Sequence, residues 1–291
     1  MTTFDRIENA VKELMGDKCR VYFEKMEKNN GKQCRAITIH EPKMGIAWSI
    51  DIDELLEDIA WGESSIEEVT LWIVNAYKIW DDLEKFKDIS SLSKEAILEK
   101  VKYYFINKER NPDLLEEVPY KEVLDLTAVY KGILRKGESE GISIVINRTV
   151  CERYSISEEE LDAAAKKNTM DEGICGEPVL SFLGRRLGIP EGIDIPGMIP
   201  MWVITNPSDF YGATVMLYKD FFKDFADELE SDLYILPASV HEVIAVPADK
   251  TELEQLRKTV YEVNEEEIPA EEVLSDSVYR YSRNRGELFI V

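Results

Sequence analysis

Cysteine and histidine are scarce in this 291-residue chain, at four and two. Cys19, Cys34, Cys151 and Cys175 are too few for a secreted disulfide scaffold of this length, and no two of them have the short spacing of a zinc knuckle. A reducing cytoplasm is the expected location, with no metal and no other cofactor. Long apolar runs are also missing. No stretch approaches about 18 uninterrupted apolar residues, and Met1 to Met15 mixes Asp5, Glu8 and Glu13 among its apolar positions. Neither a membrane span nor a signal peptide is expected. Positive charge is the third shortage: 35 Lys and Arg against 58 Asp and Glu leave a net charge of -23 and a pI near 4.6. That balance opposes direct binding to nucleic acid or to an anionic membrane. No Walker loop, dinucleotide-binding glycine fingerprint, Gly-x-Ser-x-Gly elbow or His-Glu-x-x-His helix is found.

What is present is the composition of a globular protein, 44% apolar and 32% charged. Surface scaling at this length allows roughly three-quarters of the extended chain's surface to be buried. Phe4, Ile7, Val11, Leu14 and Met15 recur at helical spacing before Gly16, which predicts an amphipathic first helix. Val21 to Phe23, Ala36 to Ile39 and Ile46 to Ile50, separated by Asn29-Asn30-Gly31 and by Pro42 to Gly45, predict an antiparallel meander that sets Cys19 opposite about His40. Asp53 to Trp61 reads as a helix closed by Gly62. Ser64-Ser65-Ile66-Glu67 has capping-box spacing before a longer helix striped by Ile66, Val69, Ile73, Tyr77, Trp80 and Leu83, with Leu71, Trp72 and Ile79 widening the stripe.

Farther on, Ser93 to Asn107 reads as a helix entering a strand, Asn111-Pro112-Asp113 as a turn, and Val123 to Leu134 with Ile142 to Ile146 as paired strands around a polar turn at Lys136 to Gly141. Ser157 to Glu160 caps a helix ending near Asn168. Glu172 to Pro200 holds six glycines and four prolines around Leu180, Phe182 and Leu183, and reads as an apolar connector, with a lid over a cleft as the alternative. Strands at Met201 to Thr205, Ala213 to Leu217, Leu233 to Leu236 and His241 to Val246 alternate with helices through Phe221 to Leu229 and after a Thr251-to-Glu254 cap; the end alternates around Tyr279 and Tyr281. The expected fold is α+β, mainly antiparallel sheets with helices packed on one face, in three regions. These are an N-terminal α+β region over 1–168, a connector over 169–200 and a C-terminal ββαββα unit over 201–291.

The run Trp202-Val203-Ile204-Thr205-Asn206, with Tyr211-Gly212-Ala213, Ser231 to Ile244 and Glu271 to Asp276, resembles an uncharacterised family defined by a domain of unknown function. Asn107 to Asn111, Val118-Pro119-Tyr120 and Leu124-Asp125-Leu126 fit the same family, so the likeness covers most of the chain. The resemblance implies an intracellular bacterial protein of Clostridia and other gut Firmicutes, often linked to mobile elements. It carries over no reaction, ligand or catalytic residue.

The sharpest local cluster is Pro237-Ala238-Ser239-Val240-His241-Glu242, with a hydroxyl, an imidazole and a carboxylate inside four residues. In a strand Ser239 and His241 share one face and Glu242 takes the other, so a nucleophile–base relay needs an acid from elsewhere, Asp209 or Asp276. The plainer reading is a tight turn in which Ser239 and His241 bond the backbone and Glu242 is solvated or ion-paired. A second cluster, Asn206, Ser208, Asp209, Tyr211 and Gly212, is a polar turn able to converge with Ser239 and His241 if their strands are neighbours. The candidates are therefore Ser239, His241 and Asp209 for catalysis and Asn206, Tyr211 and Glu242 for ligand binding.

Acidic runs at Glu158 to Glu160, Asp224 to Asp232 and Glu265 to Glu272 fit helix caps and solvated faces, or a nucleic-acid mimic. Since no constellation outweighs its structural reading, the expectation is a non-enzymatic module that binds a protein partner. The alternatives are a hydrolase or small-ligand-binding domain using Ser239 and His241, and an acidic mimic.

Overall fold

Thr2 sets the first element. Its hydroxyl accepts the Asp5 N–H (3.2 Å) and its own N–H bonds the Asp5 carboxylate (2.7 Å), a capping box that opens α1 (Thr3–Met15). Ile7 and Val11 are buried, and Gly16 ends the helix at φ 68°. The computed structural model describes residues 1–41, 46–81, 93–135, 142–188 and 197–291, which divide into two units, Met1–Ser93 and Lys94–Val291.

In the first unit β1 (Arg20–Glu27), β2 (Gln33–Glu41) and β3 (Ile46–Asp51) form the expected antiparallel meander; its second turn lies outside the described residues. Arg20 rather than Cys19 stands opposite His40. The next helix, α2 (Asp53–Trp61), closes on Gly62 in the left-handed region. The box that starts α3 (Ile66–Asp81) is one residue later than its spacing suggested. Ser65 receives the Glu68 N–H (3.1 Å) and gives its own N–H to the Glu68 carboxylate (2.8 Å). Val69, Ile73 and Tyr77 are buried as expected, whereas Leu71 and Trp72, expected to widen the stripe, are exposed. Leu83 lies outside the described residues.

The second unit opens with α4 (Lys94–Lys100) running directly into β4 (Val101–Asn107). The Asn-Pro-Asp turn starts a short helix, α5 (Pro112–Glu117), because proline is tolerated in a helix's first turn. Next come β5 (Tyr120–Val123), β6 (Leu126–Arg135) and β7 (Ile142–Val145); the polar turn before β7 lies outside the described residues. β4 pairs along one edge of β6, while β5 and β7 share the other, β5 against its first half and β7 against its second. Two helices follow, α6 (Arg148–Tyr154), capped by Asn147, and α7 (Glu158–Glu172), opened by the Ser157–Glu160 box and continuing past Asn168.

Inside the stretch expected to connect, β8 (Cys175–Pro178) and α8 (Val179–Leu187) form; 189–196 lie outside the described residues. They are followed by β9 (Trp202–Thr205), α9 (Lys219–Glu228), β10 (Leu233–Leu236), β11 (Val243–Pro247), α10 (Leu253–Glu266), β12 (Tyr279–Ser282) and β13 (Glu287–Ile290). Six strands make one antiparallel sheet in the order β13-β12-β10-β11-β9-β8. The second strand of the expected ββαββα unit is absent: Gly212–Leu217 is a 3-10 helix. Both edges of β9 are already taken, by β11 and by β8, which leaves no edge for a strand over 213–217. The expected cap at Thr251 is not made, and α10 begins without a side-chain cap.

The α+β class and the antiparallel pairing agree with the sequence, and the six-stranded sheet goes beyond one covered face. Leu256 and Val260 of α10 pack with Tyr234, Leu236 and Val246 on one side. Phe222 and Phe225 of α9 meet Tyr281 and Trp202 on the other (ring centroids 6.1 and 5.4 Å).

Candidate functional site

Residues 237–242 form the turn between β10 and β11, with β11 starting only at Val243, so the strand alternation expected for His241 and Glu242 does not apply. Ser239 is buried. Its hydroxyl donates to Glu242 Oε1 (2.8 Å) and accepts the His241 N–H (2.9 Å), while its N–H bonds the Glu242 carbonyl (3.3 Å). Ser239 and Glu242 thus close the turn. The His241 ring lies elsewhere. Nδ1 accepts the Tyr211 N–H (3.1 Å), which leaves a neutral ring's proton on Nε2, 3.8 Å from Glu272 Oε1. The ring also stacks on Tyr211 (5.5 Å, 8°). Asp209 takes neither hydroxyl nor imidazole: it pairs with Arg185 (2.9 Å), which also holds Glu177 (2.7 Å). Ser239, His241 and Asp209 are therefore neighbours in the fold without forming a relay.

The Asn206 turn is tightly built. Asn206 Oδ1 accepts the Ser208 N–H (3.1 Å), the Ser208 hydroxyl (3.0 Å) and the Phe210 N–H (3.3 Å), and Nδ2 donates to the Phe210 carbonyl (2.9 Å). Within it Asp209 (φ 50°) and Tyr211 (φ 55°) adopt left-handed backbone, an uncommon state for side chains of this size. The turn aims Tyr211 at the face of the four-stranded sheet, where its ring meets Tyr104 edge-on (4.2 Å).

That face carries the residue the sequence reading missed. Lys102 on β4 and Lys131 on β6 are direct cross-strand partners, so two ammonium groups rise from one face. Lys102 pairs with Glu172 at the end of α7 (2.6 Å), and Glu172, 9% exposed, also accepts the Ser208 hydroxyl (3.1 Å) and Asn206 Nδ2 (3.4 Å). No carboxylate lies within ion-pair distance of Lys131 among the described residues. Its Nζ sits 3.5 Å from the centre of the Tyr104 ring, 4.6 Å from that of Tyr211, and 3.5 Å from the Tyr211 hydroxyl. Ring faces favour the ammonium by about 0.5–2 kcal/mol, while burial acts in the opposite direction and pushes the Lys131 amine down to about 7. Burial also raises the Tyr104 phenol well above its ordinary value, with the charges of Tyr211 and Glu272 adding to it.

Lys131, Tyr104, Tyr211 and Phe210 line an inner cavity of about 10 Å³, room for roughly one water. Lys102, Glu172 and Ser208 line both this cavity and an open bowl of about 480 Å³ outside it. The arrangement is a cleft with a charged mouth and a lone amine between aromatic rings at its floor. Of the sequence candidates, Asn206 and Tyr211 belong to this cleft; His241 backs Tyr211, and Asp209, Ser239 and Glu242 hold neighbouring turns. A signal for Lys131 existed: in Val123 to Leu134 only Asp125 and Lys131 are charged.

Among the described residues no group of three or more His, Cys, Asp or Glu side chains is placed to hold a metal ion, and no helix is long and apolar enough to cross a membrane. No curated protein and no solved structure matches the chain. A family profile described as a family of unknown function, DUF5688, matches residues 2–283. This match spans nearly the whole chain, which therefore belongs to the DUF5688 family.

Proposed function

We propose that this protein is a binding module for small anionic molecules, held in the cleft between the four-stranded sheet and the Asn206 turn. The observation that carries the reading is Lys131: a half-buried amine with no carboxylate partner among the described residues, paired across the strands with Lys102. Around the inner cavity Lys102, Glu172 and a protonated Lys131 sum to one positive charge that seeks a counter-ion there, while Glu99 and Asp171 lie on the wall of the outer bowl. A carboxylate entering from the bowl supplies that counter-ion. The net charge of -23 slows the approach of any anion, so the affinity comes from contact inside the cleft rather than from steering.

The expectation of a protein-interaction module rested on the lack of any chemistry-bearing cluster, and the cleft supplies one. The hydrolase reading loses support from the separate engagements of Ser239, His241 and Asp209. For the acidic mimic, the pairing of Asp227 with Arg283, Asp232 with Arg280 and Glu160 with Lys94 speaks for structural carboxylates. Four cysteines in 291 residues, too few for a secreted disulfide scaffold, support a reducing cytoplasm as the place of action.

The test is thermal unfolding with acetate or malonate against matched chloride. An anion that prefers the ammonium form of Lys131 binds most tightly below pH 7 and weakens above it, by up to tenfold per unit. The groups facing Lys131 are Lys102 and Tyr104 from β4, Glu172 from α7 and Tyr211 from the turn, and burial brings Lys131 itself to about 7. Either anion is expected to raise Tm more at about pH 6 than at about pH 8.5, and Lys131→Met to abolish the rise. Equal shifts in both proteins, or none in either, contradict the reading.

A further inference from the structure

We propose that Lys131 is a nucleophilic amine that condenses with the carbonyl carbon of a small 2-oxo acid, an inference that rests on the anion-binding reading above. The geometry points to this class. Lys131 lines the inner cavity, has no carboxylate among the described residues to hold it as an ammonium, and is the cross-strand partner of Lys102. An amine kept from protonation by burial is the usual form of an imine-forming lysine. The Tyr211 hydroxyl lies 3.5 Å from Nζ, close enough to serve the oxygen of a bound carbonyl.

The step balances without a further reagent. Nζ attacks the carbonyl carbon, the C–N bond forms, and an amine proton passes to the carbonyl oxygen, giving a carbinolamine. The C–O bond then breaks as that oxygen leaves as water, taking a second proton from the Tyr211 hydroxyl, which is reprotonated from solvent. The product is an iminium at Lys131, and one proton has been taken up from water. A 2-oxo acid joins both demands of the cleft, since its carboxylate lies beside the carbon that becomes the iminium and supplies that cation's counter-ion. The cavity admits a group the size of one water, so the reacting carbonyl enters it and the remainder of the molecule occupies the bowl.

The full chain is treated at about pH 7 with glyoxylate and cyanoborohydride, which reduces an imine to a stable N-carboxymethyl group, and is then mapped by peptide mass. Lys131 is expected to be labelled at least about tenfold faster than any other lysine, because ordinary lysines are almost wholly protonated at that pH. Malonate is expected to slow that labelling, and Lys131→Arg to remove the fast site. If the arginine variant does not fold, malonate competition on the unaltered protein decides. Labelling of Lys131 no faster than surface lysines, or fast labelling at Lys102 instead, overturns the proposal. A malonate-induced rise in Tm without fast Lys131 labelling leaves the anion site standing and removes the imine chemistry. Fast labelling with no effect of malonate on Tm or on rate removes the anion site instead.

Discussion

Gly212→Ala is expected to destabilise the Lys94–Val291 unit by about 3 kcal/mol or more. A Cβ at this position would lie 2.1 Å from Thr205 Oγ1, 2.5 Å from the His241 carbonyl oxygen and 2.8 Å from the Asn206 nitrogen. Two of these are backbone atoms, one at the end of β9 and one in the turn before β11, and they cannot swing aside as a flexible side chain would. Thr205 is also committed, since its hydroxyl donates to the His241 carbonyl (2.8 Å). Relief therefore requires the Asn206 turn to lift off the sheet, which carries Tyr211 away from Lys131 and His241. The expected fall in Tm is about 6–12 °C for a unit of this size, with loss of any anion-dependent rise. Gly176→Ala is the matched control: on β8 its Cβ would meet Phe221 at an ordinary 3.5 Å, so Tm should hold within about 2 °C. Equal behaviour of the two variants would contradict the close packing of Gly212.

The second large effect lies at Asp125, in the turn between β5 and β6. Its carboxylate accepts three hydroxyls, from Ser275 (2.7 Å), Ser277 (2.9 Å) and Tyr279 (2.6 Å). The acceptor belongs to the four-stranded sheet, and the donors lead into β12 of the six-stranded one. Tyr279 is fully buried, and burial followed by the charge of Asp125 raises its phenol. Hydrogen bonds to a charged acceptor are worth about 1.5–3 kcal/mol each, and a buried hydroxyl left unpaired costs about 1–3 kcal/mol. Asp125→Ala is therefore expected to lower unfolding free energy by about 3 kcal/mol or more in urea titrations. In a Tyr279→Phe background the same change should cost at least about 1 kcal/mol less, because the two share one bond. A loss within about 0.5 kcal/mol, or strict additivity, would show that the three hydroxyls find other partners.

The elements legible in the sequence are those set by local chemistry. The Ser157 box, Gly16 and Gly62 as helix stops, and the 20–41 hairpin all rest on residues within a few positions of one another. What was not legible depends on distant partners. Ala213 to Leu217 has the composition of a strand, and only the occupation of both β9 edges makes it a 3-10 helix; one of those edges is filled by β8, from a Gly- and Pro-rich stretch that reads as a connector. Ser239 and His241 stand two residues apart in the sequence, yet Ser239 is consumed by its own turn. Asn206 and Tyr211 were legible as polar turn residues, but their destination was not: Lys102, Lys131 and Glu172 lie far from them in sequence and meet them through strand register and the last turn of α7. The two charges inside the apolar run 123–134 were the trace left by that packing, since a charge in or next to a buried strand must be answered from elsewhere. Asp125 is answered by hydroxyls. Lys131 is answered by no carboxylate among the described residues.

Direct titration of Lys131 tests this account most closely. With lysine labelled at its side-chain carbons, the shift of each Cε reports protonation of its own amine as pH is raised. One lysine, missing from the Lys131→Met spectrum, should titrate at about 7 in the ligand-free protein, well below the roughly 10.4 of a solvated lysine. Every lysine titrating in that upper range would contradict the account, for the amine at the floor of the cleft would then be an ordinary solvated cation.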